Sequence, residues 1–277
     1  MQTTTDMRAV FRRDGIVSIP NFSDETMLQH VARDISGVFV RRADALGIAV
    51  PRGSSHDDLS AQLKGLFAVS PTEYINAAKF AQHLVIIHRI GVGDAMVNVL
   101  KSLGIDAPAV STRPVIHFMA NDLRIEGGYH KTPVHQDWRS VQGSVDGLTV
   151  WMPLFDVTPN DYPLEIIPGS HRRGLLPSGD HAFGHQLRDG IVNDSEFVSV
   201  PLKAGTAAFF SGFLVHRTGV AGGERVRIAL SYRFNNAADP SFIRRGYPDR
   251  YVYRAEMELL DPEFPPAALI DETFAID

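Results

Sequence analysis

The chain has 277 residues, of which 44% are hydrophobic and 21% are charged, a composition typical of a folded globular protein with a large core. Its net charge of −5 includes no long run of one sign, which argues against a dedicated nucleic-acid-binding protein. The absence of cysteine excludes disulfides, thiolate metal sites and cysteine nucleophiles, so a metal site must use histidine and carboxylate. No apolar stretch reaches the roughly 18 residues of a membrane span, and we expect a cytoplasmic protein without a membrane partner.

The N-terminal segment, residues 1–110, carries mainly helical patterns. Residues 15–20 (GIVSIP) are β-branched and bounded by glycine and proline, which indicates a short strand. Ser23 precedes two acidic residues and is a typical helix N-cap, and apolar residues then recur at three- and four-residue steps as far as Ala45. The remaining predicted elements of this segment are a polar loop at 51–58 and helices at about 58–69 and 71–103.

From about Ser111 the pattern changes to short apolar and β-branched runs separated by glycine, proline, asparagine and aspartate. Many short strands at this spacing are typical of antiparallel sheets that form a sandwich or barrel. We therefore predict a mainly β fold with flanking helices, in a single domain over 1–277: a helix-rich segment over 1–110, a β-rich core over 111–236 and a C-terminal extension over 237–277. The predicted strands are 112–119, 148–154, 164–167, 197–200, 206–210, 213–216 and 225–234.

Two His-x-Asp triplets occur, beginning at His56 and His135, although about one is expected by chance, so their context must separate them. His56 precedes a predicted helix, where the aspartates that follow it serve as capping residues. His135 lies at the edge of the β region, and in an extended segment it points the same way as Asp137. His216, at the end of the apolar run AFFSGFLVH, is the best candidate for a third ligand. Two histidines and one carboxylate form the facial arrangement of non-haem Fe(II) oxygenases.

The last predicted strand, RVRIALSYRF, alternates arginine and small residues with large apolar residues, so its arginines share one face. A guanidinium that points into a barrel mouth suits a carboxylate because of its bidentate fork. A metal-chelated 2-oxo acid with a distal carboxylate requires such a partner. We expect Arg227, eleven residues after His216, to be this partner, and we expect Arg225 and Arg233 to be solvated.

These segments resemble the phytanoyl-CoA dioxygenase family of Fe(II)- and 2-oxoglutarate-dependent oxygenases. The resemblance covers most of the chain and is carried by FRRDGIVSIPNFSDE, HQD, VWMPLFDVTPNDYPLEIIPGSHRRG, AGTAAFF, FLVH and RVRIALSYRF. It implies a double-stranded β-helix, a jelly roll similar to that of cupins. It also implies that iron is bound by His135, Asp137 and His216. For the cosubstrate, the resemblance implies that Arg227 holds the C5 carboxylate of 2-oxoglutarate, with Thr218, Trp151 and His117 beside it.

The activity implied by the resemblance is oxidation of a substrate C–H bond by O₂, coupled to conversion of 2-oxoglutarate to succinate and CO₂. We expect hydroxylation of a small polar metabolite or natural-product intermediate, while desaturation, ring formation and action on an acyl-CoA remain open. Halogenation is not expected, because family members that halogenate lack the carboxylate ligand that Asp137 provides. Trp138 and Arg139 follow the HQD motif directly and are the first candidates for substrate contacts.

Two other classes of function remain as alternatives. A cupin-like metal-dependent isomerase or hydrolase could use the same two histidines and carboxylate with another ion, but it would not need Arg227. A non-catalytic small-molecule-binding protein could keep the fold without a metal, although the intact set of candidate ligands argues against this. The sequence does not indicate an oligomeric state.

Overall fold

The computed structural model describes residues 4–125, 131–179, 185–248, 259 and 262–275. Helices dominate the first hundred residues and antiparallel strands dominate the rest. The helices are α1 (Thr4–Asp14), α2 (Glu25–Ala45), α3 (His56–Val69), α4 (Pro71–Ala81), α5 (Val85–Val92), α6 (Asp94–Ser102), α7 (Trp138–Val141), α8 (Pro240–Arg244) and α9 (Ala267–Thr273). The strands are β1 (Ile16–Ile19), β2 (Pro108–Val110), β3 (Val115–Met119), β4 (Leu148–Pro153), β5 (Leu164–Ile166), β6 (Val198–Val200), β7 (Ala207–Ser211), β8 (His216–Thr218) and β9 (Arg227–Asn236).

The helices of the N-terminal segment differ from the prediction in two respects. The N-cap of α2 is Asp24 and not Ser23, because the Asp24 carboxylate accepts a hydrogen bond from the Met27 N–H at 2.7 Å. The helix expected at 71–103 is three helices, α4 to α6. Extended backbone at Leu84 and Gly93 interrupts it, so that each short helix directs its own apolar residues into the core.

The strands form two antiparallel sheets. The larger sheet has the order β1-β7-β4-β9-β2, and β3 pairs with the other end of β9. The smaller sheet has the order β6-β5-β8. Two sheets of short antiparallel strands with helices outside them form the expected double-stranded β-helix, and all of the predicted strands overlap an observed one, although 213–216 does so only at His216. The three-residue strand β2 was not predicted.

The strand predicted at 213–216 is wrong, because only His216 belongs to a strand. The three residues before it enter different hydrophobic clusters: Phe213 packs beside Trp138, Leu214 lies between the sheets, and Val215 joins a third group. Since all three side chains are buried in different directions, the run lacks the two-sided alternation of a strand. The segment is instead a turn that delivers His216 to the start of β8.

The main core lies between the larger sheet and the helices α2 to α6. The alternation predicted for β9 is confirmed: Ile228 and Leu230 enter this core, whereas Ala229 packs between the two sheets. The charged and polar residues of β9 share the face of Ala229 and therefore point between the sheets as well. This face of β9 forms one wall of the functional site.

Some of the predicted C-terminal extension, 249–258 with 260, 261, 276 and 277, lies outside the described residues. Among its described residues, Ile270 and Phe274 of the α9 region pack against Trp138 and Phe213. No single helix among the described residues is long and apolar enough to span a membrane; α4 passes that test only together with Val85–Ser102, at a bend of 42°. The subdivision at 110 and 236 remains a prediction.

Candidate metal and cosubstrate site

His135 and His216 are brought together by a short antiparallel bridge. The His135 N–H donates to the His216 carbonyl at 3.0 Å, and the His216 N–H donates to the His135 carbonyl at 3.1 Å. Asp137 follows two residues later, immediately before α7. All three side chains are buried, and one donor atom from each lies within 4.8 Å of the others. The structure therefore assembles the three predicted metal ligands.

Both histidines are held in the tautomer that metal binding requires. The Nδ1 atom of His135 lies 2.8 Å from the Pro133 carbonyl, and that of His216 lies 2.9 Å from the Leu214 carbonyl. A carbonyl can only accept a hydrogen bond, so each Nδ1 carries a proton and Nε2 is the nitrogen that each ring presents to a metal. These Nε2 atoms lie 3.4 Å and 3.8 Å from the two oxygens of Asp137. The donor set therefore fits a divalent transition metal.

Asp137 is held by two further side chains that reach it from the larger sheet. Thr149 donates its hydroxyl to Oδ2 at 2.7 Å, and Arg233 donates Nη2 to Oδ1 at 2.9 Å. Burial by itself raises the pKa of Asp137, but the Arg233 guanidinium, His135 and His216 together outweigh this effect and hold the pKa well below its usual range. The carboxylate is therefore ionised and ready to bind a cation.

The expectation for Arg233 was wrong, because its side chain is only 15% exposed and pairs with Asp137. Strand alternation assigned it to the correct face, but that face covers an internal cavity and not solvent. Arg225 is 45% exposed and pairs with Asp161, in agreement with the prediction. Thr149 was not predicted, although it lies two residues before Trp151 on the same face of β4, which is a signal that alternation could have supplied.

Arg227 is a buried cation without a counter-charge. Its side chain is 4% exposed, and among the described residues it has no hydrogen-bond acceptor or acidic partner. Burial lowers the pKa of Arg227 to about 10, so the guanidinium still carries its charge at neutral pH. Its central carbon lies 5.5 Å from the Trp151 ring centroid. An unpaired buried charge is costly, so this position is suited to an anionic ligand.

The other residues predicted near the cosubstrate line the same cavity. The Nε2 of His117 lies 2.9 Å from the Ser231 hydroxyl, and burial lowers the pKa of His117 to about 3, so its ring is neutral. The Thr218 hydroxyl accepts a hydrogen bond from the Thr132 N–H at 3.2 Å. The cavity thus unites seven predicted residues, namely His117, His135, Asp137, Trp151, His216, Thr218 and Arg227.

Trp138 and Arg139 do not line this cavity, and their contact with substrate remains a prediction. Trp138 is 2% exposed, stacks on Phe213 with a centroid separation of 5.2 Å, and donates its indole N–H to the Ser144 carbonyl. Arg139 donates to the Leu176 carbonyl at 2.9 Å. The helical turn of α7 begins at Trp138, and both side chains are engaged in contacts outside the cavity that holds the metal ligands.

Two other histidines differ in their relation to the site: His56 lies outside it, and His185 lies beside His135. The ring of His56 stacks on Phe155 at 4.4 Å and its Nε2 bonds to the Val226 carbonyl, which confirms that its triplet is not part of the site. His185 was not predicted, yet its ring lies 5.2 Å from that of His135, and burial lowers its pKa to about 3. No motif in the sequence marks His185.

Comparison with known proteins agrees with this geometry. The family model for Phytanoyl-CoA dioxygenase (PhyH) matches residues 11–229. Similar solved structures include the epimerase SnoN in complex with Fe3+, alpha ketoglutarate and nogalamycin RO, with a TM-score of 0.56 and 18% identity over 84% of each chain. The apo non-heme monooxygenase ThoJ has a TM-score of 0.57 and 18% identity, over 83% of this chain and 77% of its own.

A third similar structure is EctD from S. alaskensis with 2-oxoglutarate and 5-hydroxyectoine. Its TM-score is 0.54 and its identity 16%, over 86% of this chain and 77% of its own. At these identities the structures support a common fold, whereas the family model covers most of the chain and defines its family. The chain belongs to the phytanoyl-CoA dioxygenase family.

Proposed function

We propose that this protein is an Fe(II)- and 2-oxoglutarate-dependent dioxygenase that hydroxylates a C–H bond of a small polar metabolite or natural-product intermediate. The observation that carries the proposal is the buried Arg227, which has no acidic partner among the described residues and shares a cavity with His135, Asp137 and His216. A metal-dependent isomerase or hydrolase needs the three metal ligands but has no need of a buried cation beside them. A cosubstrate with a second carboxylate needs both the three metal ligands and the buried cation.

In this proposal His135 and His216 hold iron through Nε2, and Asp137 holds it through a carboxylate oxygen. When bound, iron and 2-oxoglutarate together supply the activation of O₂, with the cosubstrate released as succinate and CO₂ and one oxygen atom transferred to the substrate. The protein's contribution is to hold both imidazoles in one orientation and tautomer, since the Pro133 and Leu214 carbonyls accept hydrogen bonds from the Nδ1 atoms.

Arg227 would bind the distal carboxylate of 2-oxoglutarate through its bidentate fork. The cavity excludes most water from this guanidinium, so a charge-assisted hydrogen bond there is stronger than at the surface. Trp151 packs beside it and limits its rotation, and the Thr218 hydroxyl, which accepts from the backbone, still has a proton to donate. These contacts orient the cosubstrate without taking part in the oxidation.

The substrate class is supported by the similar structures. SnoN was crystallised with nogalamycin RO and EctD with 5-hydroxyectoine, and both ligands are small molecules. We therefore favour a small polar substrate in the cytoplasm over an acyl-CoA, which remains the alternative within the family. Epimerisation and ring formation use the same cofactors and are other outcomes that a product analysis must test.

The test is anaerobic addition of Fe(II) and then 2-oxoglutarate, followed by visible spectroscopy, since chelation of iron by a 2-oxo acid gives a weak charge-transfer band without substrate. We expect the band in the wild-type protein, its loss in Asp137→Ala and a higher 2-oxoglutarate requirement in Arg227→Ala. Arg225→Ala is the matched control, because it removes a nearby arginine that bonds to Asp161 outside the site. Iron binding without a band would refute the proposal and favour the isomerase or hydrolase.

A further inference from the structure

Thr149 and Arg233 lie directly opposite each other on the neighbouring strands β4 and β9. Both side chains leave the sheet on the cavity side and end on the same carboxylate. Thr149 holds Oδ2 of Asp137 at 2.7 Å, and Arg233 holds Oδ1 at 2.9 Å. One cross-strand pair therefore holds both oxygens of the carboxylate.

This arrangement fixes the rotation of the carboxylate about its Cβ–Cγ bond. A carboxylate held at one oxygen can still turn, whereas one held at both oxygens by different elements cannot turn without breaking a bond. In the fixed orientation Oδ1 lies 3.4 Å from the Nε2 of His135, and Oδ2 lies 3.8 Å from the Nε2 of His216. Both oxygens therefore stay within reach of a metal ion placed between the three residues.

The side-chain donors of Thr149 and Arg233 take no part in the backbone pairing of β4 with β9. The backbones of β4 and β9 pair over six residues on each strand, so the side chains of Thr149 and Arg233 are not needed to join the strands. Burying a hydroxyl and a guanidinium is costly unless each has a partner, and Asp137 supplies that partner. Their placement is best explained by what they do to the carboxylate.

We propose that Thr149 and Arg233 are positioning residues that together fix the Asp137 carboxylate for metal binding. The inference rests on the metal site of the proposed function, and it assigns neither residue a contact with substrate. Groups that hold a metal ligand in place typically contribute about 10–100-fold to metal affinity.

The first test measures Co(II) binding to the metal-free protein by calorimetry and by the visible spectrum of the bound ion. Thr149→Val keeps the shape of the side chain and removes the hydroxyl, so we expect Co(II) affinity to fall by about 10–100-fold, with an altered spectrum. Thr149→Ser keeps the hydroxyl and should restore most of the affinity and the wild-type spectrum. Unchanged affinity and spectrum in Thr149→Val would overturn the proposal.

The second test is a double-mutant cycle with Arg233→Met, which has a similar stem but no donor. If both residues restrain one carboxylate, losing the first restraint frees it to rotate, and losing the second then costs less. We therefore expect the effect of the double variant on Co(II) affinity to differ from the sum of the single effects, whereas simple additivity would contradict a shared role.

His216→Ala separates the two proposals. If wild type and His216→Ala bind Co(II) equally, the metal site of the proposed function is wrong. If His216→Ala loses binding while the Thr149 variants match wild type, only the positioning role is wrong.

Discussion

The backbones of His135 and His216 form a closed pair, in which each residue donates its N–H to the carbonyl of the other, at 3.0 and 3.1 Å. Their rings lie 4.1 Å apart between centroids. Because two backbone hydrogen bonds fix the separation of the residues, the Nε2 atoms are placed before any ion arrives. A site prepared in this way loses little conformational freedom when it binds a metal.

We expect His216→Ala to lose both bound iron and the release of succinate from 2-oxoglutarate, because two remaining ligands hold a divalent ion poorly. The measurements are metal content after anaerobic reconstitution and succinate production. His83→Ala is the control, since His83 is exposed on the helical side of the molecule and should change neither. Full succinate release by His216→Ala would show that the ligand assignment is wrong.

We expect Arg227→Ala to raise the KM for 2-oxoglutarate by about 10–100-fold with a smaller effect on kcat, as expected for loss of a charged hydrogen bond of about 1.5–3 kcal/mol. Arg227→Lys keeps the charge but loses the fork, and we expect an intermediate KM. The measurement is steady-state succinate release at varied 2-oxoglutarate. A KM unchanged from wild type in Arg227→Ala would place the distal carboxylate elsewhere.

The limits of the sequence are illustrated by Arg227 and Arg233. Strand alternation placed both on one face of β9, and the family resemblance implied that Arg227 binds the cosubstrate. Alternation shows from which face of the strand a side chain leaves, but not which part of that face is exposed to solvent and which part lines a cavity. Arg233 was therefore assigned to solvent, although it pairs with Asp137. That boundary depends on the residues that lie across the cavity from β9, such as His135, Leu164 and His216, which come from distant parts of the chain.

The sequence did not predict the local turn before His216 or the packing of Trp138, for a related reason. An apolar run such as Phe213 to Val215 has the composition of a strand, and only the positions of three separate clusters decide that it turns. Spacing placed Trp138 beside Asp137 correctly. The stacking of Trp138 on Phe213, a residue distant in the chain, is not visible in the spacing. Spacing therefore predicted the metal ligands better than the residues around them.

We expect Trp138→Ala to lower the free energy of unfolding by about 3–5 kcal/mol, because a large buried ring leaves a cavity against Phe213. Trp138→Phe keeps most of the ring contact and loses the hydrogen bond to Ser144, for about 1 kcal/mol. The measurement is urea unfolding of the metal-free protein. If Trp138→Ala instead kept wild-type stability and raised the KM of a substrate, Trp138 would line the substrate site after all.

The last prediction concerns Asp146, which lies in the turn before β4 and accepts a hydrogen bond from the Asn236 side chain at 2.6 Å, while its Oδ1 is buried without a described partner. Burial raises the pKa of Asp146 to about 6. In the unfolded chain the pKa is near its ordinary value of about 4, so between these values the folded state binds more protons. The contribution of Asp146 to the free energy of unfolding is therefore fully present below about pH 4 and is lost as the pH rises through about 6.

Asp146→Asn removes the titration and keeps an oxygen that can accept from Asn236. We expect the stability difference between wild type and variant to shift by about 1–3 kcal/mol in favour of the variant between pH 4 and pH 7. The measurement is urea unfolding of both proteins across this pH range. The contributions of the other carboxylates cancel in the difference between the two proteins, because both proteins contain them. Parallel pH profiles for wild type and Asp146→Asn would show that Asp146 titrates alike in the folded and unfolded states.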